Sequence, residues 1–125
     1  MILFKGAVQN RKPIVAVKID EQGNLSFWPE GEHRFVVDTG FTGDFLVPRT
    51  ILPKLKLKYL GYEKFVLATN KKVSLPIYQG WVKIKNKRTK VVVIPGAELI
   101  GMKFLEKVGS RLIGDYKKAT VKLIG

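Results

Sequence analysis

Apolar residues run along the chain in short stretches that end at glycine, proline or a polar cluster, a pattern of strands rather than long helices. Residues 2–8 and 13–19 predict two strands, the second apolar on both faces near its start. Residues 20–24 read as a polar turn around Gly23, with residues 25–28 pairing back as a hairpin and residues 29–32 looping onward. The run Phe35-Val36-Val37 stops abruptly at Asp38, and Phe45-Leu46-Val47 starts after Gly43 and Asp44. These are two buried strands around a tight turn, in which Gly40 and Gly43 take backbone angles closed to other residues. One helical turn fits residues 49–53, limited by Pro53. Leu55, Leu57 and Tyr59 alternate with Lys54, Lys56 and Lys58 as in a half-exposed strand. Residues 62–68 and 73–84 predict a long hairpin with a polar tip at Thr69, Asn70, Lys71 and Lys72. A second hairpin turns through residues 86–89, a basic tip, into Val91-Val92-Val93-Ile94. Residues 98–109 hold the one convincing helix, stopped by Gly109, and residues 121–124 a closing strand. Many short strands and one short helix predict an all-β fold, a barrel or a sandwich. No repeat or linker divides the chain, so residues 1–125 form a single domain.

Composition narrows the chemistry. Without cysteine there is no disulfide, no thiolate nucleophile and no Cys-ligated metal, which fits a reducing compartment. Met1-Ile2-Leu3-Phe4, closed by Lys5-Gly6, is too short for a signal peptide, and no apolar run reaches membrane length, so a cytoplasmic location is expected. Lys and Arg number 23 against 10 Asp and Glu, a net charge of +13 that attracts polyanions. A solvated lysine-rich surface accounts for it as well, and nucleic-acid binding is expected to be weak and sequence-independent. No phosphate loop, dinucleotide fingerprint or metal-ligand cluster occurs, so no cofactor and no metal are expected. His33 reads as a surface histidine, and Trp28, Tyr78 and Trp81 as core or dimer-facing aromatics, with base stacking as the sharper alternative.

The candidate chemistry lies at Asp38. A carboxylate carried into a turn by a buried strand costs free energy unless it is paired or used. A turn whose Asp accepts from the backbone two residues on is the plain structural account. Val37-Asp38-Thr39-Gly40, however, resembles the Asp-Thr-Gly signature of aspartic proteases. Leu99-Ile100-Gly101-Met102-Lys103-Phe104-Leu105 is similar to the apolar-apolar-Gly helix segment that packs beneath the catalytic turn in the retroviral-type family. The wider pattern, Asp-Thr-Gly-Phe-Thr-Gly followed by Pro48, looks like the small retropepsin-like proteins of archaea and bacteria, and the resemblance spans residues 33–116.

The resemblance implies a closed or partly closed acid-protease β-barrel and an aspartic endopeptidase, a hydrolase that uses two facing carboxylates. Like charges so close share one proton; the ionised member activates water and the neutral one donates to the peptide carbonyl. Asp38 is the only Asp followed by Thr-Gly or Ser-Gly; Asp20 and Asp115 lie in polar turns, and Asp44 beyond the catalytic turn. The economical arrangement is a homodimer in which two copies of Asp38 meet on the twofold axis. By the same resemblance Thr39 hydrogen-bonds across that axis, Gly40 leaves room for substrate and Gly101 lets the helix approach the turn. The tip at residues 69–72 takes the place of the flap, and the chain-end strands at residues 2–8 and 120–124 are interface candidates. Two departures stand out: the tip carries two lysines and no glycine, and Phe41 occupies a position where viral enzymes place a small residue. The alternative is a non-catalytic binding or dimerisation module on this fold, its basic surface taking an acidic partner or nucleic acid.

Overall fold

The computed structural model describes residues 1–125. Strands β1 (Ile2–Gln9), β2 (Lys12–Ile19), β3 (Leu25–Phe27), β4 (His33–Val37) and β5 (Phe45–Val47) precede a short 3-10 turn at Leu52–Lys54. Then come β6 (Lys58–Val66), β7 (Lys72–Ile84), β8 (Lys87–Pro95), β9 (Leu99–Ile100), helix α1 (Met102–Val108), β10 (Arg111–Asp115) and β11 (Thr120–Ile124). Seven strands close a barrel in the order β2-β3-β7-β8-β5-β9-β4, β4 returning to pair with β2. The chain therefore forms an all-β barrel with one short helix, the barrel rather than the sandwich of the two folds that its pattern allowed. Strands β1, β11 and β10 extend the sheet beyond β2, and β6 pairs only with β7, so the β6–β7 hairpin projects from the barrel. No helix is long and apolar enough to cross a membrane.

Alternation along the strands fills the barrel. Val15 and Val17 of β2, Phe35 and Val37 of β4, Phe45 and Val47 of β5, and Val91 and Val93 of β8 all point inward and are buried. Burying each such side chain contributes about 1.5–3 kcal/mol. Aromatic rings connect the elements: Phe35 meets Phe45 at 5.8 Å, Phe45 meets Phe104 of α1 at 5.0 Å, and Phe104 meets Phe27 at 6.1 Å. The helix is thus fastened to the strand that leaves the Asp38 turn.

The structure corrects several local expectations. The predicted helix starts only at Met102; Leu99 and Ile100 are strand residues paired with both β4 and β5. Residues 55–57 are not a strand, although Leu55 is buried, and strand pairing begins at Lys58. The basic hairpin turns at Lys85-Asn86, both with positive φ, and Lys87 already lies in β8. Gly40 and Gly43 do not have positive φ, so their role is not backbone freedom. Gly109 does end the helix, with an ordinary φ of −114°. Its need is spatial, since a Cβ there would lie 2.6 Å from the Leu123 side chain. The chain-end strand β11 has β1 on one edge and β10 on the other, so the open edge belongs to β10.

Candidate active site

Strand β4 delivers Asp38. Its flanks are fixed by antiparallel pairing to β2 and parallel pairing to β9, where Val36 lies opposite Leu99 and Val37 opposite Ile100. The Asp38 N–H still donates to the Ile100 carbonyl at 2.9 Å, the last bond of the ladder. Beyond it the chain turns: the Phe41 N–H donates to the Asp38 carbonyl at 3.1 Å, and the Gly40 N–H donates to Asp38 Oδ1 at 2.9 Å. The carboxylate is half-buried, and Thr39 and Gly40 are exposed beside it. A Cβ on Gly40 would meet only Asp38 Oδ1, at 3.2 Å, so its open side faces solvent.

The rest of the turn rests on the start of α1. The Gly101 N–H donates to the Asp44 carbonyl at 2.7 Å, Met102 N–H to the Phe41 carbonyl at 2.7 Å, and Lys103 N–H to the Gly43 carbonyl at 3.2 Å. No side chain caps this helix; carbonyls of the Asp38 turn satisfy its otherwise unpaired N–H groups instead. The approach is so close that a Cβ on Gly101 would collide with the Gly43 carbonyl oxygen and sit 2.6 Å from the Phe41 ring. A Cβ on Gly43 would lie 2.7 Å from the same ring. Phe41 is therefore seated against two glycines at the turn–helix joint. That placement explains how a large side chain fits here.

Asp44, which the sequence pattern places outside the site, anchors this joint. Its side chain is fully buried; Oδ2 accepts from the Val92 N–H at 2.8 Å and from Lys107 Nζ at 3.2 Å. Lys107 also donates to the Lys90 carbonyl at 2.8 Å, while Asp44 Oδ1 has no hydrogen-bond partner. The pair links the turn, β8 and the far end of α1. An acid directly before a buried strand is a weak hint in the sequence; its lysine, 63 residues on, is not.

The sequence-predicted residues thus fall in two groups. Asp38, Thr39, Gly40 and Gly101 come together at the turn. Thr69, Asn70 and Lys71 lie at the tip of the separate β6–β7 hairpin, and Lys72 is the first residue of β7. Asn70, at φ +64°, supplies the left-handed residue that a glycine-free tip requires. Gly61, at φ +117° beside a register shift at Tyr59, bends the hairpin lower down. Tyr59, Leu60, Tyr62, Val66 and Leu67 leave this hairpin with apolar surface exposed. Next to Thr39 a hollow of about 250 Å³ opens between α1 and β10, lined by Met102, Leu105, Arg111 and Leu112 among others. His33 is half-buried at the start of β4, and no group of three or more His, Cys, Asp or Glu side chains is placed to hold a metal ion. No protein-family model matches the chain, and no curated protein matches it.

Proposed function

We propose that the protein is a retropepsin-like aspartic endopeptidase that works as a homodimer. One observation carries this reading: Asp38, at the end of a buried strand, has one carboxylate oxygen bonded to Gly40 and no other protein partner, in a turn fastened to a helix through Gly101. Such a carboxylate is held in place yet chemically unspent. A single protomer supplies one; two copies about a twofold axis supply the pair that can share a proton, activate water and protonate a peptide carbonyl. Thr39, exposed on the same turn, is free to bond across that axis. The open edge of β10 lies near the turn, exposes Leu112 and Ile113, and joins the hollow beside Thr39; it is the strand through which the copies pair. The projecting β6–β7 hairpin, with its apolar surface, closes over an extended polypeptide.

The lysine-rich surface favours a second reading, a non-catalytic module on this fold with a polyanionic partner. One experiment separates the two: cleavage of unfolded protein and extended peptides from about pH 4 to 7, alongside light scattering. The wild type should be dimeric and cleave best on the acidic side of neutral. Asp38→Asn should stay dimeric and lose roughly a thousandfold or more in activity. Undiminished cleavage by Asp38→Asn, or a strictly monomeric protein, overturns the peptidase reading. Inactivity of both proteins with an intact dimer selects the second.

A further inference from the structure

The basic residues are not spread evenly. Registration across four neighbouring strands sets Lys18 of β2 beside Ser26 of β3, Ser26 beside Lys83 of β7, and Lys83 beside Arg88 of β8. Adjacent strands are about 4.8 Å apart, so the cations form a row roughly 15 Å long across the sheet. Ser26, small and nearly buried, makes a low floor between Lys18 and Lys83. A hollow of about 470 Å³ opens there, edged by Lys18, Lys83, Lys85 and Trp28. It adjoins a second hollow of about 510 Å³, edged by Lys85, Lys87, Arg88 and Lys107, the two sharing Leu3, Ile84 and Lys85.

Two further features qualify the surface. Trp28 is 54% exposed on the protomer, with Lys18 Nζ 6.0 Å from its ring, so it is not a core residue. Arg88 stacks on Trp81, its guanidinium 4.2 Å from the ring centroid, which holds the end of the row in place. The one acid edging these hollows, Asp20, already accepts N–H groups from Gln22 and Asn24 and the Asn24 side-chain amide. The row is also remote from Asp38. In the antiparallel β2–β4 pair, Val17 lies opposite His33 and Ile14 opposite Val36, so Lys18 and Asp38 leave the pair at opposite ends.

We propose that this face binds single-stranded nucleic acid, the Lys18–Lys83–Arg88 row tracking the phosphates and Trp28 stacking an unpaired base. Cations alone would suit any polyanion. A half-exposed indole beside them selects a chain with free flat bases over an acidic polypeptide, which has no such face, and over a duplex, whose bases are already stacked.

The test is fluorescence anisotropy on the full chain with labelled oligo(dT) and oligo(U) of about twelve nucleotides. A log–log slope of affinity against salt near −2 to −3 is expected for three to four phosphates. Lys83→Ala with Arg88→Ala should weaken binding at least about tenfold at about 50 mM salt and flatten the slope. Trp28→Ala should weaken it about tenfold with the slope unchanged, because stacking releases no counterions. Lys71→Ala with Lys72→Ala removes the same charge from the other hairpin and should change affinity less than about twofold. An equal loss from that control pair would reduce the effect to net charge and overturn the site. So would no effect of Trp28→Ala, or equal competition by polyglutamate, which would mark an acidic-polypeptide surface; absence of binding at low salt refutes the proposal outright.

Discussion

Asp38 and Asp44 stand at the two ends of one turn, six residues apart, and the fold treats them oppositely. Asp44 is fully buried and joined to Lys107 and the Val92 N–H; Asp38 is half-buried and accepts one N–H from its own turn. The buried carboxylate has to be paired, because an unpaired charge removed from water costs several kcal/mol. Its bonds to the Val92 N–H and Lys107 tie the turn to β8 and α1, so it serves as an anchor. The outer carboxylate is left uncommitted, on a backbone that the inner one holds in place. Position within a turn therefore says little about a carboxylate's use, and its partners say a great deal.

The largest expected effect comes from attacking the anchor. Lys107→Ala leaves Asp44 buried with the Val92 N–H as its only donor, which should cost about 3 kcal/mol of unfolding free energy. The figure is at the low end for a broken buried pair because Lys107 is 34% exposed and water reaches its side of the bridge. Urea unfolding measures it. A loss below about 1 kcal/mol would mean that Asp44 is not the anchor and would dissolve the contrast with Asp38.

Next in size is Gly101→Ala. The added methyl must displace both the Gly43 carbonyl and the Phe41 residue, each part of the turn. Overpacking of this kind costs about 1–3 kcal/mol, and backbone is the harder neighbour to move. Activity should fall with stability if the joint positions Asp38. Full activity in a destabilised Gly101→Ala would show that the two ends of the turn are mechanically independent.

The strands on either side of this joint were legible because Phe35-Val36-Val37 and Phe45-Leu46-Val47 carry their own β-branched and aromatic signal. Strand β9 was not. Two residues have no local pattern, and Leu99-Ile100 is extended only because β4 and β5 pair with it. Strand β10 escaped for a similar reason: it contains a glycine, is almost wholly exposed, and is ordered by β11 alone. Gly43 was recognised but for the wrong cause, since its φ is not positive and its need is room for the Phe41 ring. Of the two places expected for Trp28, the core is ruled out: a large aromatic is usually buried, whereas this one is exposed on the protomer.

A third carboxylate calibrates the comparison. Asp20 also sits in a turn, but its two oxygens accept three hydrogen bonds, two backbone and one from the Asn24 side chain. Partial burial pushes its pKa up, but the N–H groups of Asn24 and Gln22 and the charge of Lys83 outweigh it and hold it below 3.8. A carboxyl lowered on folding adds stability that is present above its unfolded value and is lost as pH falls through the folded one. Asp20→Ala should therefore cost about 1 kcal/mol at neutral pH, and the gap to wild type should narrow once pH drops below about 3.8. A gap that stays constant from neutral to acid pH would show that the bonds do not depend on the charge.

The smallest effect on stability is expected at Asp38 itself. Asn is nearly isosteric with Asp, and its Oδ1 can keep the one bond that Asp38 makes, the acceptance of the Gly40 N–H. Nothing else in the protomer bonds this carboxylate, so Asp38→Asn should shift unfolding free energy by no more than about 0.5 kcal/mol. Dimer affinity should hold or rise, because two carboxylates facing each other repel whenever both are ionised. Thermal unfolding and concentration-dependent light scattering of the variant test both points. A stability loss approaching that of Lys107→Ala would place Asp38 in the same structural class as Asp44. The turn would then carry two anchors and no free acid, and a peptidase could not be built on it.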